Sequence, residues 1–509
     1  MKLNFVQNTK RNVVAGSINQ TLNLLFPFLN RTLLLWLMGP MNLGLNGFFT
    51  SILGVLMLAE LGFGKAIVCS MYKPIADDDH EMLCAFLCFY RTIYRWIGAA
   101  IFVIGLCLLP FLRKLVHGDL PPDVNLYVLY LLHLINTSTS YFLFAYRGSI
   151  LSAHHRNDVL TNIRTMLLVM QYVTVFLVLI LTRNYYLYVI VTILFTVIQN
   201  LLIMRESRRL FPEVKPRGEL QQDKRRQVLS DVKSIFLHKV GGVISYQIDN
   251  VVLSAFLGLV AVASYGNYYY VYTAVAGIPS ILYSTMAGGF GNKIHTESKE
   301  KNFELFMLIN RMVGIVNIWC AAMMLALYQP FISTWTRRNP ELVQHFLMPV
   351  LMALFFYINQ SRQVLLTFKA GASIWREDRW KPIAGGVVKL LTCLAFVMIL
   401  PDEYKLDGMI LSSIIEFVFV QIPWESHVVF TRFFDRTQAK VFWRHQFVFL
   451  LTALCLSVST WGVVEMIPLA RIPGLLVKGC VAAVFSFGLL LVLFRRDMAA
   501  IMKKVLNRG

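Results

Sequence analysis

The sequence predicts an all-α, polytopic membrane protein of about fourteen transmembrane helices, and three observations carry that prediction. Hydrophobic residues make up 57% of the 509 and charged ones only 15%, far below the roughly 25% charged of soluble domains. Apolar runs of about 20 residues, the length that crosses a ~30 Å hydrocarbon core, recur along the whole chain. Lys and Arg alternate between rich and poor connecting segments, as the positive-inside rule requires. Membrane strands of about ten residues with alternating polarity are not part of the pattern.

Taken in order, the runs lie near 12–38, 43–69, 92–112, 124–146, 158–181, 184–204, 233–258, 263–290, 305–327, 345–368, 382–400, 407–424, 446–467 and 474–494. Residues 82–96 read as an interfacial helix leading into the third span. The basic opening MKLNFVQNTKRN precedes an apolar run too long for a signal-peptide core, so it reads as an uncleaved first span. With the N-terminus in the cytoplasm, the inside segments include 205–226, 431–445 and 495–509. Inside segments then hold about 30 Lys and Arg against about 7 outside. Both termini are cytoplasmic in this reading, which requires an even number of spans. Outside connections such as HGDLPPD (117–123) and TRRNPE (336–341) are short, which argues against an enzyme with an external domain working on lipid-linked sugars.

The formal charge of +20 does not point to nucleic acid, because the cations are not gathered into one patch with interleaved aromatics. Eight cysteines are scattered with no C-x-x-C pair and no Cys/His ligand spacing. Thiols inside apolar runs are small hydrophobes. No metal, cofactor or catalytic constellation is expected, and His154-His155 reads as a solvated turn.

An internal repeat organises the chain. GLNGFF (44–49) echoes YGNYYY (265–270), which sets Asn46 opposite Asn267. Lys73 matches Lys293 and Arg91 matches Arg311 at an offset of 220, and FLNRTLLLWLMG (28–39) lies over QIDNVVLSAFLG (247–258) at 219. That offset spans six helices, an even number, so the copies are parallel repeats with a cleft between them. The organisation expected is an N-terminal six-helix bundle (1–204), a cytoplasmic basic linker (205–231), a C-terminal six-helix bundle (232–430), and two additional helices with a basic tail (431–509).

A charge at bilayer depth costs ~2.5–3.5 kcal/mol on insertion scales, so it faces a bundle interior or a wet cavity. Such residues here are Arg31, Glu60, Asp249, Arg362, Lys389 and Glu416, drawn from both halves. Arg31 has snorkelling to the outer headgroups as its alternative, and Arg362 and Lys389 have the cytoplasmic headgroups. Glu60 and Glu416 have structural pairing with a neighbouring cation. Arg91, Arg95, Arg164 and Arg311 lie close to the cytoplasmic boundary, where snorkelling is the favoured account. The repeat sets Asn30-Arg31 over Asp249-Asn250, one wall with a cation and an amide, the other with an acid and an amide. A guanidinium in a wet cavity suits a diphosphate, whose oxygens its planar donors bind in pairs. Asp249 resets Arg31 or carries a coupling proton in this reading, with an inter-bundle salt bridge as the alternative. The cluster YGNYYYVY (265–272) is either an interfacial aromatic belt or a surface for sugar rings.

The stretches GLNGFFTSILGVLMLAELGFGKAIVCSMYKP (44–74), ADDDHE, FYRTIYRWIG (89–98) and DNVVLSAFLGLVAVASYGNYY (249–269) resemble Wzx-type flippases. Those belong to the multidrug/oligosaccharidyl-lipid/polysaccharide exporter superfamily, with MurJ and the MATE antiporters. The resemblance covers about residues 10–430 and rests on hydrophobic-pattern motifs. It implies a V-shaped pair of six-helix bundles, two extra C-terminal helices and alternating access in a bacterial cytoplasmic membrane. It implies as substrate an undecaprenyl-diphosphate-linked oligosaccharide for O-antigen, capsule or exopolysaccharide synthesis, with membrane lipids, a polysaccharide polymerase and a chain-length regulator as partners. Cavity cations of the family, especially on span 1, match Arg31; Arg362 and Lys389 follow less closely. The substrate-binding set is then Asn30, Arg31, Asn46, Asp249, Asn250, Asn267, Arg362 and Lys389, with Glu60, Asp249 and Glu416 as ion-coupling candidates. The competing readings are a MATE-type drug/cation antiporter, for which acids should dominate the cavity, and a membrane polymerase or ligase.

Overall fold

The computed structural model describes the backbone of residues 5–60, 63–294, 297–372, 374, 377–495 and 497–498. The Lys293 side chain and the basic tail from residue 499 onward lie outside the described residues. Among the described residues there are sixteen α-helices and no strand. In chain order these are α1 (Phe5–Leu56), α2 (Phe63–Ala76), α3 (His80–Leu108), α4 (Leu126–Phe142), α5 (Gly148–Ala153), α6 (Asn157–Thr182), α7 (Tyr185–Leu210) and α8 (Gln222–Phe256). There follow α9 (Leu259–Lys293), α10 (Lys299–Trp335), α11 (Leu347–Gly371), α12 (Lys381–Ile399), α13 (Lys405–Glu416), α14 (Ile422–Arg432), α15 (Arg436–Glu465) and α16 (Arg471–Leu493).

Nine of the described helices are long and apolar enough to cross a membrane, or ten if α4 and α5, bent by 44° across a short break, form one span. The fourteen expected spans are therefore not all separate, uniformly apolar helices. Spans 1 and 2 run together in α1, broken inside by Gly39 (φ 82, ψ 174). Residues 82–96 are not an interfacial helix. They form the first half of the continuous α3, with Leu83, Phe86, Leu87, Tyr90 and Tyr94 buried.

Side-chain caps set several helix starts. Asn125 accepts from the backbone N–H groups of Tyr127 and Val128 at the head of α4, and Asn184 accepts from those of Tyr186 and Leu187 at α7. Asp435 and Gln438 form a reciprocal capping box at α15. The repeat also has a backbone signature. Gly39 and Gly258, which the aligned stretches place opposite one another, both take positive φ, 82° and 86°. Only glycine adopts such angles without a Cβ penalty.

The chain divides into two compact units, Met1–Ala263 and Ser264–Gly509. In the first, the connection after α7 is docked, not loose. Val214 and Leu220 are buried, and the buried Arg147 donates to the Val214 carbonyl at 3.1 Å. Outside the spans, burial lowers the pKa of His154 below the usual imidazole value, and the ring stacks on Phe211 at 4.0 Å. It is not a solvated turn residue. In the second unit, Phe306, Phe368, Phe430, Phe434 and Phe442 join α10, α11, α14 and α15 in one core. The last two helices pack on α10: Gln446 donates to Asn310 at 2.8 Å, and Ala326, Val464 and Ala482 form a second, smaller cluster.

Candidate functional site

In the first unit, α1 carries Asn30 and Arg31 on adjacent positions, so they point to different faces of the helix. Asn30 is buried and donates to the Tyr188 hydroxyl of α7 at 3.1 Å. Arg31 is partly exposed and donates to the Ala263 carbonyl in α9 at 3.0 Å. Past the Gly39 break, α1 turns its small residues to the same segment. A Cβ at Gly44 would fall 1.9 Å from the Leu259 carbonyl oxygen, so the two backbones touch where only glycine fits. Asn250 of α8 donates to Ser51 of α1 at 2.8 Å, and Asp249 beside it is 3% exposed.

The segments matched by the repeat thus meet in this unit. The partners are Arg31 with Ala263 and Asn250 with Ser51, several residues along the helices from the simple Asn30-Arg31 against Asp249-Asn250 juxtaposition. Asn46 lies half-buried on α1.

Glu60 sits after α1 in a 3₁₀ turn, half-buried, with both carboxylate oxygens engaged. Tyr94 of α3 and Tyr141 of α4 each donate to it at 2.5 Å. Its partners are phenols, not the neighbouring cation that the pairing alternative requires.

In the second unit, Arg362, Lys389 and Glu416 lie in a buried polar network. Arg362 of α11 grips Glu425 of α14 through Nε and a terminal nitrogen, at 3.1 and 2.7 Å. It also donates to Gln421 at 3.3 Å and lies 4.6 Å over the Phe417 ring. Lys381 of α12 contacts the same Glu425 and lies 3.5 Å from Asp378, which Lys369 of α11 also contacts. Gln421 donates to Glu416 at 2.8 Å, and Lys389 donates to Ser413 of α13. A π-helical step, Phe417–Gln421, joins α13 to α14 and carries both Phe417 and Gln421 into this network; such steps occur often at functional sites.

Glu425, Asp378, Lys381 and Lys369 are members that hydropathy did not single out. Asp378 stands in the charged segment REDRWK between α11 and α12, yet it is fully buried. The signal that would find it is the density of acids and cations just outside span 10.

Asn267 and Tyr268 of α9 are fully buried. Tyr268 stacks on Tyr328 at 5.5 Å and its hydroxyl accepts from the Gln344 N–H at 3.0 Å, which makes it a core residue. Tyr269 and Tyr270 are partly exposed. Among the described residues no group of three or more His, Cys, Asp or Glu is arranged to hold a metal ion.

Three solved structures share this fold. The lipid II flippase MurJ, in an inward closed conformation, superposes with a TM-score of 0.64 at 12% identity, over 96% of this chain and 99% of its own. An inward-facing multidrug resistance MATE family transporter of the MOP superfamily gives 0.60 at 15%, over 82% and 98%. The eukaryotic MATE transporter AtDTX14 gives 0.57 at 11%, over 86% and 98%. No curated protein sequence matches the chain. The all-helical bundle that the resemblance implies is the fold these structures share. The polysaccharide biosynthesis protein family matches over residues 9–287, more than half of the 509. The chain belongs to the polysaccharide biosynthesis protein family.

Proposed function

We propose that this protein flips an undecaprenyl-diphosphate-linked oligosaccharide from the inner to the outer leaflet of a bacterial cytoplasmic membrane, with both termini in the cytoplasm. Membership of a polysaccharide biosynthesis family and the flippase and transporter fold support a membrane carrier and not an enzyme. The observation that carries the reading further is the state of Arg31. Arg362 and Lys389 are buried, Arg362 against a carboxylate and two amides and Lys389 against a serine hydroxyl. Arg31 is partly exposed at span depth, and its guanidinium donates to the Ala263 carbonyl at 3.0 Å. A planar cation so placed suits a diphosphate, because paired oxygens match its donor edge.

In this mechanism residues 1–204 and 232–430 are the two repeats that alternate access. Asn30, Asn46, Asp249, Asn250 and Asn267 supply polar contacts, and the coupling proton or sodium ion is carried by one of Glu60, Asp249 and Glu416.

The test is genetic and chemical together. Cells lacking the protein should accumulate full-length lipid-linked repeat units on the cytoplasmic face. Wild type should rescue, Arg31→Ala should slow flipping at least tenfold, and Arg31→Lys should recover only part of it. Normal flipping by a stably expressed Arg31→Ala protein removes Arg31 from the mechanism. Drug sensitivity with no glycan defect in the deletion strain replaces the flippase with an antiporter.

A further inference from the structure

The first unit holds a chamber of about 420 Å³ lined by residues of α3, α4, α5, α6 and α7 and by Met57 and Glu60 of the turn after α1. Its size falls within the roughly 300–1,000 Å³ of small-molecule sites. In a bilayer bundle, space of this kind is ordinarily filled with packed apolar side chains. Here the facing surfaces of α4 and α7 are polar instead. Thr196 donates to Asn136 at 2.9 Å, and Asn200 donates to Ser140 at 3.4 Å. These bonds tie two helices together and leave a mixed row of amides and hydroxyls along the wall, to which Gln199 adds another amide.

Across from that row stands Glu60, its carboxylate held by the Tyr94 and Tyr141 hydroxyls. Arg164 reaches the rim from α6, and among the described residues it forms no ion pair. The Tyr141 and Tyr94 rings, 5.4 Å apart, add aromatic surface beside the carboxylate.

We propose that this chamber binds a sugar ring, and so forms a glycan subsite contained within residues 1–263. A sugar presents many hydroxyls that each donate and accept, around a ring with apolar C–H faces. The chamber offers the complement: a carboxylate and amide oxygens to accept, amide and guanidinium N–H groups to donate, and tyrosine rings for the C–H face. A metal ion would want several carboxylates, and the chamber has one. A drug-like cation would want bare acidic and aromatic walls, and this acid already accepts from two phenols.

The proposal rests on the flippase reading for the source of its sugar, and the experiment separates the two. Full-length protein in lipid nanodiscs is probed by saturation-transfer NMR with four soluble sugars: methyl glucoside, methyl galactoside, methyl rhamnoside and N-acetylglucosamine. Wild type should transfer saturation to at least one. Gln199→Leu and Asn200→Leu should cut that transfer at least fivefold, while Thr452→Val on α15, outside the chamber, should keep it.

Should the leucine variants lose their folded elution profile, Ser140→Cys serves instead. The binding sugar should slow alkylation at position 140, read by mass spectrometry of that peptide, by threefold or more. No transfer to any of the four sugars overturns the subsite, as does transfer that survives both leucine variants, or alkylation that no sugar slows. A deletion strain that accumulates no lipid-linked glycan, alongside a saturable sugar signal, removes the flippase reading and leaves the subsite standing.

Discussion

Glu60 in the first unit and Glu425 in the second are both acids inside an apolar bundle, and they are satisfied in opposite ways. Glu60 accepts from two neutral tyrosine hydroxyls beside a chamber of about 420 Å³. Glu425 is fully buried between Arg362 and Lys381, with Asp378 and Lys369 continuing the charge chain. Neutral partners around a cavity leave room for a ligand. Around Glu425 each ion is compensated by another, and the cavity of about 490 Å³ that Arg362 borders is otherwise lined mainly by apolar side chains. The comparison teaches that an ionisable residue in a span points to polar ligand chemistry when the space beside it is itself lined by polar groups.

The sharpest way to break this contrast is to remove one charge from the dry network. Glu425→Gln strands Arg362 and Lys381 without their shared counter-ion, and breaking a buried pair costs about 3–5 kcal/mol. The expected outcome in a detergent thermal melt is collapse of the second unit's stability; a melting temperature close to wild type would show the network to be hydrated after all.

A matched pair of glycine substitutions sharpens the same point. A Cβ at Gly385 would lie 2.5 Å from the Gln421 amide nitrogen and 2.7 Å from a Glu416 oxygen. Gly385→Ala should therefore destabilise by about 1–3 kcal/mol through overpacking. At Gly148, on the chamber, the nearest atom to an added Cβ is 3.6 Å away, and Gly148→Ala should stay within about 0.5 kcal/mol. Equal shifts for the two alanines would dissolve the distinction between a packed network and an open chamber.

Tyr141→Phe carries a smaller effect than Glu425→Gln. It removes one donor from Glu60 and leaves Tyr94 in place, for a loss of about 1 kcal/mol. Chemical-denaturant titration of the purified variant reads it, and a loss rivalling that of Glu425→Gln would mean that Glu60 is as dry as its counterpart.

The sequence revealed the fold class through long-range composition, since apolar run length and Lys/Arg alternation survive any detail of packing. It also exposed the repeat, down to glycines 39 and 258 that share a positive φ. The span count was less legible. Gly39 breaks the backbone inside one continuous run, and α2 reaches only 14 residues before its end at Ala76. Charges within the apolar runs were legible where they interrupt them, as at Arg31, Glu60 and Arg362. Their partners were not. Tyr141 lies 81 positions from Glu60 and Glu425 lies 63 from Arg362, and a one-dimensional pattern carries no signal for contacts so distant. Asp378 escaped for a different reason: its local sequence is that of a surface turn, and its burial comes from the α11 lysine beside it.

The placement of the last two helices sets an order of events during synthesis. A Cβ at Gly314 of α10 would lie 2.3 Å from the Phe449 ring of α15, so these helices meet at a closely fitted surface. Arg311 of α10 pairs with Asp497 at 3.0 Å, beyond the end of α16. Chains fold as units while they emerge from the ribosome, at about 5–20 residues per second. By the time α10 has left the ribosome, the helices that cover one of its faces have yet to be made, about a hundred residues later. The second unit therefore waits, half-clad in the bilayer, until α15 and α16 have been made. A nascent chain stalled before α15 presents a surface that membrane quality control can recognise as unfinished.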